Sequence, residues 1–161
     1  MLVRRIFKLD PSLLPFQPDI ELRLSNFGKM KKSLLRRGQS LSEFANGHLY
    51  YGFHRVEGGW MYREWAPAAE CVYLMGDMNG WNKTSLPMTP VGNGNFELFL
   101  PGENALWGGC KVKTVGLHQS RLLERIPLYA TRVVQDPDTY LWCAEVDTTL
   151  TEEFPWTDEG F

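Results

Sequence analysis

The spacing of apolar residues divides this chain into a helical beginning and a longer part with the alternation of strands. From residue 19 to residue 37, apolar side chains recur at helical spacing, with acidic residues first and basic residues last, the order that the helix dipole favours. Ser40 and Glu43 match a capping box and predict a short second helix. The three prolines within residues 1–18 predict an extended arm ahead of both helices.

Apolar and polar residues alternate in short segments from residue 49 onward. Glycine-containing turn signals at 57–59 and 92–94 separate several of these segments, and no βαβ pattern is present. This pattern predicts a mainly β fold, an immunoglobulin-like antiparallel β-sandwich preceded by a short helical segment. The predicted strands are 49–54, 60–65, 71–76, 95–100, 110–115, 122–126 and 129–134.

The change of pattern also divides the chain into three ranges. Residues 1–47 are predicted to form the N-terminal arm and helices, and residues 48–146 the sandwich. The polar stretch 147–161, in which Phe154 and Trp156 are late aromatic residues, is interpreted as a linker that leads to something this chain does not contain.

The polar turn Gly76–Asn82 holds the strongest candidate for binding. Gly, Asp and Asn accept tight turn conformations, but a large indole at Trp81 in such a turn indicates either packing or a ligand. A sugar suits this turn, because its C–H face can lie on the indole while Asn79 and Asn82 bond its hydroxyl groups. The alternative is that Trp81 covers the end of the sandwich core. Trp65, by contrast, ends an alternating strand and is assigned to the core.

Composition and charge narrow the range of partners. Apolar residues make up 43% and aromatic residues 13% of the 161 residues, which fits a β-rich fold, a ligand platform, or both. A net charge of −2 argues against nucleic acid and against an anionic membrane as partner. No apolar run approaches the ~20 residues of a transmembrane helix. The three cysteines lack C-x-x-C spacing and are interpreted as reduced, mostly buried thiols of a cytoplasmic protein.

The sequence shows no catalytic or cofactor-binding constellation. His48, His54 and His118 share no metal-binding spacing with one another or with a cysteine. Motifs for nucleophilic catalysis, phosphate cradling and dinucleotide binding are missing, so neither a metal nor a cofactor is expected. Asp136 and Asp138 form the best carboxylate pair for glycoside hydrolysis, but an Asp-Pro-Asp run is more typical of a turn.

Six motifs occur in one particular order along the chain. They are Tyr51-Gly52-Phe53-His54-Arg55, Glu64-Trp65-Ala66-Pro67, Gly76–Asn82, Lys111-Val112-Lys113, Arg125-Ile126-Pro127 and Val133-Val134-Gln135-Asp136-Pro137. This order resembles the N-terminal part of 1,4-α-glucan (glycogen or starch) branching enzymes. Residues 1–47 are similar to the helical segment of that family, and residues 48–146 to its family 48 carbohydrate-binding module, the isoamylase N-terminal domain.

The resemblance implies that the chain binds an α-glucan, namely glycogen, starch or a maltooligosaccharide. Trp81 matches the first stacking tryptophan of the family module. Lys113 matches a lysine that bonds glucan hydroxyl groups in related modules. The second stacking tryptophan of glucan-sensing relatives is missing from the corresponding region, residues 115–120, which weakens the binding that the resemblance implies.

The resemblance also implies a catalytic partner. Full-length branching enzymes cleave an α-1,4 linkage and rejoin the released chain as an α-1,6 branch on an α-amylase-type barrel. That barrel would follow residue 161, so no catalytic residue is assigned to this chain, which is expected to be inactive alone. Two functions follow: a glucan-binding module, or a module that braces the catalytic barrel without binding glucan by itself.

Overall fold

The computed structural model describes residues 2–148, with side chains from residue 5 onward. The chain divides into two compact units at the boundary between Gly47 and His48. The first unit is helical, whereas the second is built mainly from strands. Most of the predicted linker, residues 149–161, lies outside the described residues.

The helical unit begins earlier than the sequence predicted. Residues 2–9 are helical and a 3-10 helix follows them, so the predicted extended arm is wrong. Pro11 and Pro18 are compatible with helix because they occupy first-turn positions, where a backbone N–H has no helical partner. Asp10 Oδ1 accepts a hydrogen bond from Ser12 N at 3.0 Å and caps the 3-10 helix. The helical elements that precede the strands are α1 (Leu2–Leu9), the 3-10 helix Pro11–Phe16, α2 (Gln17–Leu34), α3 (Leu41–Phe44) and the short 3-10 helix Gly47–Leu49.

The predicted capping box at the start of α3 is confirmed. Ser40 Oγ accepts a hydrogen bond from Glu43 N at 3.2 Å, and Glu43 Oε2 accepts one from Ser40 N at 2.6 Å. The bond from Ser40 N is the main reason that the pKa of the Glu43 carboxyl lies below its usual value. α2 ends earlier than the predicted residue 37, because Leu35 adopts an extended conformation.

The strands form two antiparallel sheets. The first sheet has the order β1-β2-β5-β4, and the second has the order β3-β6-β9-β8, with β7 paired to β6. The strands are β1 (Gly52–Val56), β2 (Gly59–Trp65), β3 (Cys71–Gly76), β4 (Thr89–Gly92), β5 (Asn95–Pro101), β6 (Lys111–His118), β7 (Arg121–Arg125), β8 (Val133–Gln135) and β9 (Trp142–Glu145).

The predicted fold, an immunoglobulin-like antiparallel β-sandwich preceded by helices, is confirmed. The predicted strand 71–76 coincides with β3, and the other predicted strands are displaced by a few residues at their ends. Two strands escaped prediction. β4 contains Pro90 and a register shift between Pro90 and Gly92, and β9 is only four residues long, so neither shows a clean alternation.

The core lies between the two sheets of the sandwich. Alternation along β2 directs Trp60, Tyr62 and Glu64 inward, and alternation along β3 and β6 directs Val72, Leu74 and Val112 toward them. The buried core cluster consists of Trp60, Tyr62, Val72, Leu74, Met88, Phe96, Leu100, Leu106, Cys110, Val112, Ala144 and Val146.

Trp65 does not belong to this core, so its predicted assignment is wrong. The residue is 49% exposed, and its indole Nε1 donates a hydrogen bond to Asn93 O at 3.2 Å. The reason is strand parity: since Tyr62 and Glu64 point inward, the odd position Trp65 points outward. The core tryptophan on this strand is Trp60, which is 4% exposed.

A polar cluster joins the two sheets inside the core. Tyr62 Oη donates a hydrogen bond to Glu64 Oε2 at 2.5 Å and lies 2.8 Å from Thr114 Oγ1. Glu64 Oε2 also accepts a hydrogen bond from Leu128 N at 3.0 Å. Burial, followed by the nearby Glu64 charge, raises the pKa of the Tyr62 hydroxyl well above its usual value, so this group stays protonated.

Candidate functional site

The turn after β3 has an unusual backbone that presents Trp81. Residues Asp77–Asn79 form one turn of 3-10 helix, and both Gly80 and Trp81 then adopt left-handed conformations, each with φ of 61°. Glycine tolerates this region readily, whereas a tryptophan there requires support from its surroundings. Trp81 N donates a hydrogen bond to Gly76 O at 2.9 Å, which closes the turn.

The carboxylate of Asp77 fixes the orientation of the Trp81 ring. Its Oδ1 accepts a hydrogen bond from Trp81 Nε1 at 2.9 Å, and its Oδ2 accepts one from Lys111 N at 2.8 Å. Since Lys111 begins β6, a single carboxylate ties the indole to the neighbouring strand. The ring is therefore held in place before any ligand arrives.

Replacing Asp77 with asparagine is expected to lower the free energy of unfolding by about 1–2 kcal/mol, because an amide can accept from only one of its two partners. Whichever way the amide is turned, its NH₂ group faces an N–H donor of Trp81 or Lys111. Urea unfolding measures the change. Asp138→Asn, at an exposed position in the β8–β9 turn, is the matched control. Equal stability of the two variants would contradict the bridging role of Asp77.

The side chain of Asn79 is engaged within the turn. Its Oδ1 accepts a hydrogen bond from Gly76 N at 3.0 Å, and its Nδ2 donates to Asn82 O at 2.9 Å and to Ser85 Oγ at 2.9 Å. A longer bond of 3.3 Å joins Nδ2 to Leu74 O. Both functional atoms of this amide therefore have partners inside the protein. Asn79 was a predicted sugar ligand, and its contacts are those of a residue that holds the turn together.

Lys113 lies on the outer face of the second sheet. It pairs with Met75 of β3, and its side chain is 11% exposed. Its Nζ lies 3.0 Å from Glu124 Oε2, while Glu124 Oε1 lies 2.7 Å from Lys83 Nζ. Glu124 reaches both ammonium groups because β7 runs beside β6, with Glu124 opposite Val115. The hydrogen bonds from Lys83 and Lys113 lower the pKa of the Glu124 carboxyl.

Trp81 and Lys113, two of the four predicted site residues, line one groove of about 360 Å³. We call it the Trp81 groove. Met75 and Cys143 contribute apolar surface, and burial raises the pKa of the Cys143 thiol, which keeps it protonated. Asn79 and Asn82 do not line the groove. Its charged lining residues are Asp77, Lys83, Lys111, Lys113, Glu124 and Asp136.

The charges of the Trp81 groove balance. Lys83 and Lys113 form ion pairs with Glu124, and in a third pair Lys111 Nζ lies 3.6 Å from Asp136 Oδ2. Hydrogen bonds from the backbone and hydroxyl of Thr139, and then from Asp138 N, hold the pKa of the Asp136 carboxyl below its usual value. Three lysines thus face three carboxylates, and the lining carries no net charge at neutral pH. Such a surface offers hydrogen-bond donors and acceptors without selecting an anion or a cation.

Sequence reasoning missed Lys83, Glu124, Asp136 and Thr139 as members of this groove. Lys83 stands two residues after Trp81, and this proximity was a usable signal. Glu124 gave no such signal, because its position beside Lys113 depends on the β6–β7 register. The Asp-Pro-Asp run forms a turn, as predicted, with Asp136 Oδ1 accepting hydrogen bonds from Asp138 N and Thr139 N.

The described residues contain no group of three or more His, Cys, Asp and Glu side chains that could hold a metal ion. His54 Nε2 lies 2.8 Å from Tyr51 O, and His118 Nδ1 lies 2.8 Å from Ala68 O, so both rings are engaged with the backbone.

Of the cysteines, Cys110 and Cys143 are buried, whereas Cys71 is exposed. Within residues 2–148, no helix is both long enough and apolar enough to cross a membrane.

Comparison with known families identifies the sandwich. Residues 50–130 match the family described as carbohydrate-binding module 48 (isoamylase N-terminal domain). The chain belongs to carbohydrate-binding module family 48. The predicted resemblance is thereby confirmed for the sandwich, and the groove at Trp81 is a surface feature of a family 48 module.

Similarity to curated proteins extends beyond the module. The 1,4-alpha-glucan-branching enzyme of Dictyostelium discoideum is 37% identical over 131 residues, which cover 78% of this chain and 19% of that protein. The 1,4-alpha-glucan-branching enzyme 1, chloroplastic/amyloplastic, of Pisum sativum is 35% identical over 139 residues, which cover 84% of this chain and 17% of that protein. The predicted resemblance to branching enzymes is therefore confirmed. The chain spans about a fifth of the length of these relatives.

A solved structure supports the fold of the module. The pullulanase from Anoxybacillus sp. LM18-11 complexed with maltotetraose matches with a TM-score of 0.50 and 17% sequence identity. The match covers 65% of this chain and 14% of the pullulanase chain. At this level of identity the likeness concerns the architecture of the module.

Proposed function

We propose that this chain is the glucan-binding module of a 1,4-α-glucan branching enzyme and that it binds α-glucan chains in the Trp81 groove. The observation that carries the proposal is that the Trp81 indole and the Lys113 ammonium line the same charge-balanced groove. Membership of family 48 and similarity to branching enzymes support this reading. The ligands expected are glycogen, starch and maltooligosaccharides.

Trp81 supplies the stacking platform. The residue is 37% exposed, so one part of the ring is packed while another part is open to a ligand. The hydrogen bond from its Nε1 to Asp77 fixes the orientation of the ring. Because the ring is already ordered, its side chain loses less conformational entropy when a ligand binds. The C–H face of a glucose unit can then cover the open part of the indole and remove apolar surface from water.

The balanced charges favour a neutral ligand with many hydroxyl groups. A phosphate or carboxylate would compete with Glu124 and Asp136 for the lysines and would meet repulsion from both carboxylates. Sugar hydroxyl groups can donate to the carboxylates and accept from the lysines at the same time. An α-glucan carries hydroxyl groups along its whole length. It can therefore form hydrogen bonds with the lysines and carboxylates of the groove while their ion pairs stay intact.

The two asparagines receive different roles in this proposal. Asn79 supports the turn, since both atoms of its amide are engaged by protein groups. Asn82 stays a candidate ligand at the exposed side of the turn. Its Oδ1 accepts a hydrogen bond from Thr84 N at 3.1 Å, and its Nδ2 is the atom that could donate to a sugar hydroxyl.

Catalysis belongs, in this proposal, to the remainder of the enzyme. The branching reaction, which transfers an α-1,4 chain to an α-1,6 position, is assigned to an α-amylase-type barrel of the same enzyme, and this module is non-catalytic. The barrel is thus the second proposed partner. Cytoplasmic location stays a prediction, and one plant relative is named as chloroplastic/amyloplastic.

A second candidate function is a module that braces the catalytic barrel and has no glucan affinity of its own. The observation that favours it is the exposed apolar surface of β7 and the segment that follows, where Leu122, Leu123, Ile126 and Leu128 are all exposed. The absence of tryptophan from residues 115–120 also favours it, since a single platform holds a glucan less tightly than two.

Trp81→Ala is expected to weaken maltoheptaose binding about tenfold or more, because the stacking surface is lost. Calorimetric titration of the parent chain and the variant measures the change. Trp107→Ala is the matched control, since Trp107 is also exposed, at 46%, and does not line the groove. A thermal melt of each protein confirms folding.

The outcomes separate the two candidate functions. Saturable heat from the parent and from Trp107→Ala, together with its loss in Trp81→Ala, supports the glucan-binding module. A folded parent that gives no heat at millimolar maltoheptaose overturns independent binding and leaves the bracing function. Equal affinities of the parent and Trp81→Ala would place glucan binding elsewhere on the module.

A further inference from the structure

Glu124 occupies a central position in the Trp81 groove. It lies on β7 opposite Val115 of β6, and Lys113 lies two residues before Val115 on the same face of β6. This register places its carboxylate beside the Lys113 ammonium, at 3.0 Å. The opposite carboxylate oxygen reaches Lys83 Nζ at 2.7 Å. Glu124 thus contacts both ammonium groups, one through each oxygen.

The two lysines come from different parts of the module. Lys83 follows the Trp81 turn, whereas Lys113 belongs to β6. The carboxylate of Glu124 therefore connects the loop that carries the indole to the strand that carries the buried lysine. Asn79 makes separate contacts within the turn, through Gly76 N and Ser85 Oγ.

The exposure of the three side chains shows how the Glu124 bridge, the carboxylate paired with both Lys83 and Lys113, can act. The Lys113 side chain is 11% exposed, that of Glu124 is 33% exposed, and that of Lys83 is 54% exposed. Lys113 is thus a nearly buried ammonium that depends on Glu124 for its charge partner, because an unpaired buried charge is strongly unfavourable. Without the carboxylate, this ammonium would have to turn toward solvent or recruit another acceptor.

We propose that Glu124 is the positioning residue of the Trp81 groove and holds the ammonium groups of Lys83 and Lys113 where glucan hydroxyl groups meet them. This inference rests on the proposed function. Lys113 has two further N–H donors beside the one that it gives to Glu124, and Lys83 has the same number. The bridge therefore orients both lysines while leaving donors for a sugar beside the Trp81 ring. Hydrogen bonds from the two lysines also keep Glu124 ionised at neutral pH, since they lower its pKa.

The substitution Glu124→Gln tests this role with little change in shape. The amide oxygen can still accept from one lysine, but the amide NH₂ group then faces the ammonium of the other. We expect maltoheptaose affinity to fall about tenfold. Glu97→Gln is the matched control, because Glu97 is 34% exposed and pairs with Arg63 on the first sheet, outside the groove. Its affinity is expected to equal that of the parent.

A double-mutant cycle distinguishes positioning from general stabilisation. If Glu124 acts through Lys113, the loss caused by Glu124→Gln should shrink markedly in a Lys113→Met background. An undiminished loss in that background would overturn positioning through Lys113. Full parental affinity of Glu124→Gln would overturn the proposal directly.

A second measurement needs no glucan, and it keeps the proposal testable even if the module does not bind sugar. In ¹⁵N-lysine-labelled protein, the ammonium protons of Lys113 are expected to exchange slowly in the parent and in Glu97→Gln, and rapidly in Glu124→Gln. Unchanged exchange in Glu124→Gln would overturn the bridge. Faster exchange in Glu124→Gln, combined with a parent that gives no titration heat, would support the bridge and reject glucan binding as the proposed function.

Discussion

Replacing Tyr62 with alanine is expected to lower the free energy of unfolding by about 4 kcal/mol, a typical cost for truncating a buried aromatic residue. Tyr62 is fully buried between the two sheets, and its ring stacks on Phe53 with centroids 4.1 Å apart. Truncation leaves a large cavity at this position. It also removes the hydroxyl that donates to Glu64 Oε2, which leaves a buried carboxylate with fewer partners.

Two companion variants separate these contributions. Tyr62→Phe keeps the ring and removes only the hydroxyl, so it is expected to cost about 1–3 kcal/mol through the unpaired groups of Glu64 and Thr114. Tyr50→Ala truncates a tyrosine that is 42% exposed, and its expected cost is below about 1 kcal/mol. Urea unfolding of the three variants provides the comparison. Similar losses for Tyr62→Ala and Tyr50→Ala would contradict the central position of Tyr62.

Replacing Gly76 with alanine is expected to cost about 3 kcal/mol and to abolish maltoheptaose binding in the same step. The backbone of Gly76 is extended, so the obstacle is space: an added Cβ would lie 2.3 Å from Lys111 O. Met78 Sδ and Val112 Cγ1 each lie 3.0 Å from that Cβ position. The ends of β3 and β6 would have to separate, and this movement would displace Trp81 from Lys113.

Gly80→Ala is the control within the same turn. Its φ is +61°, and a Cβ there would meet no atom within 4 Å, so the expected cost is only the left-handed backbone penalty of about 1 kcal/mol. Urea unfolding and calorimetric titration, applied to both variants, test the pair. A Gly76→Ala protein as stable as Gly80→Ala would show that β3 and β6 can separate without loss.

The local patterns of the sequence determined much of the architecture. A continuous apolar run predicted β3 with its observed ends, and the Ser40–Glu43 pattern predicted the capping box. These features depend on neighbours in the chain, so a single sequence contains the information. The same holds for the turn that presents Trp81, because Gly80, which lacks a Cβ, and the side chain of Asn79 favour its backbone conformation locally.

Positions that depend on partners distant in the chain were decided by the tertiary structure alone. Trp65 was expected in the core, but its exposure follows from the inward direction of Tyr62 and Glu64, which only the packed sandwich fixes. Glu124 joined the groove through the β6–β7 register, which pairs it with Val115 and sets its carboxylate beside Lys113. The sequence by itself identified the sandwich and placed Trp81 on its turn. The folded sheets brought Lys113 and Glu124 to that tryptophan, because hydrogen-bond register between strands, rather than spacing along the chain, sets which side chains share a face.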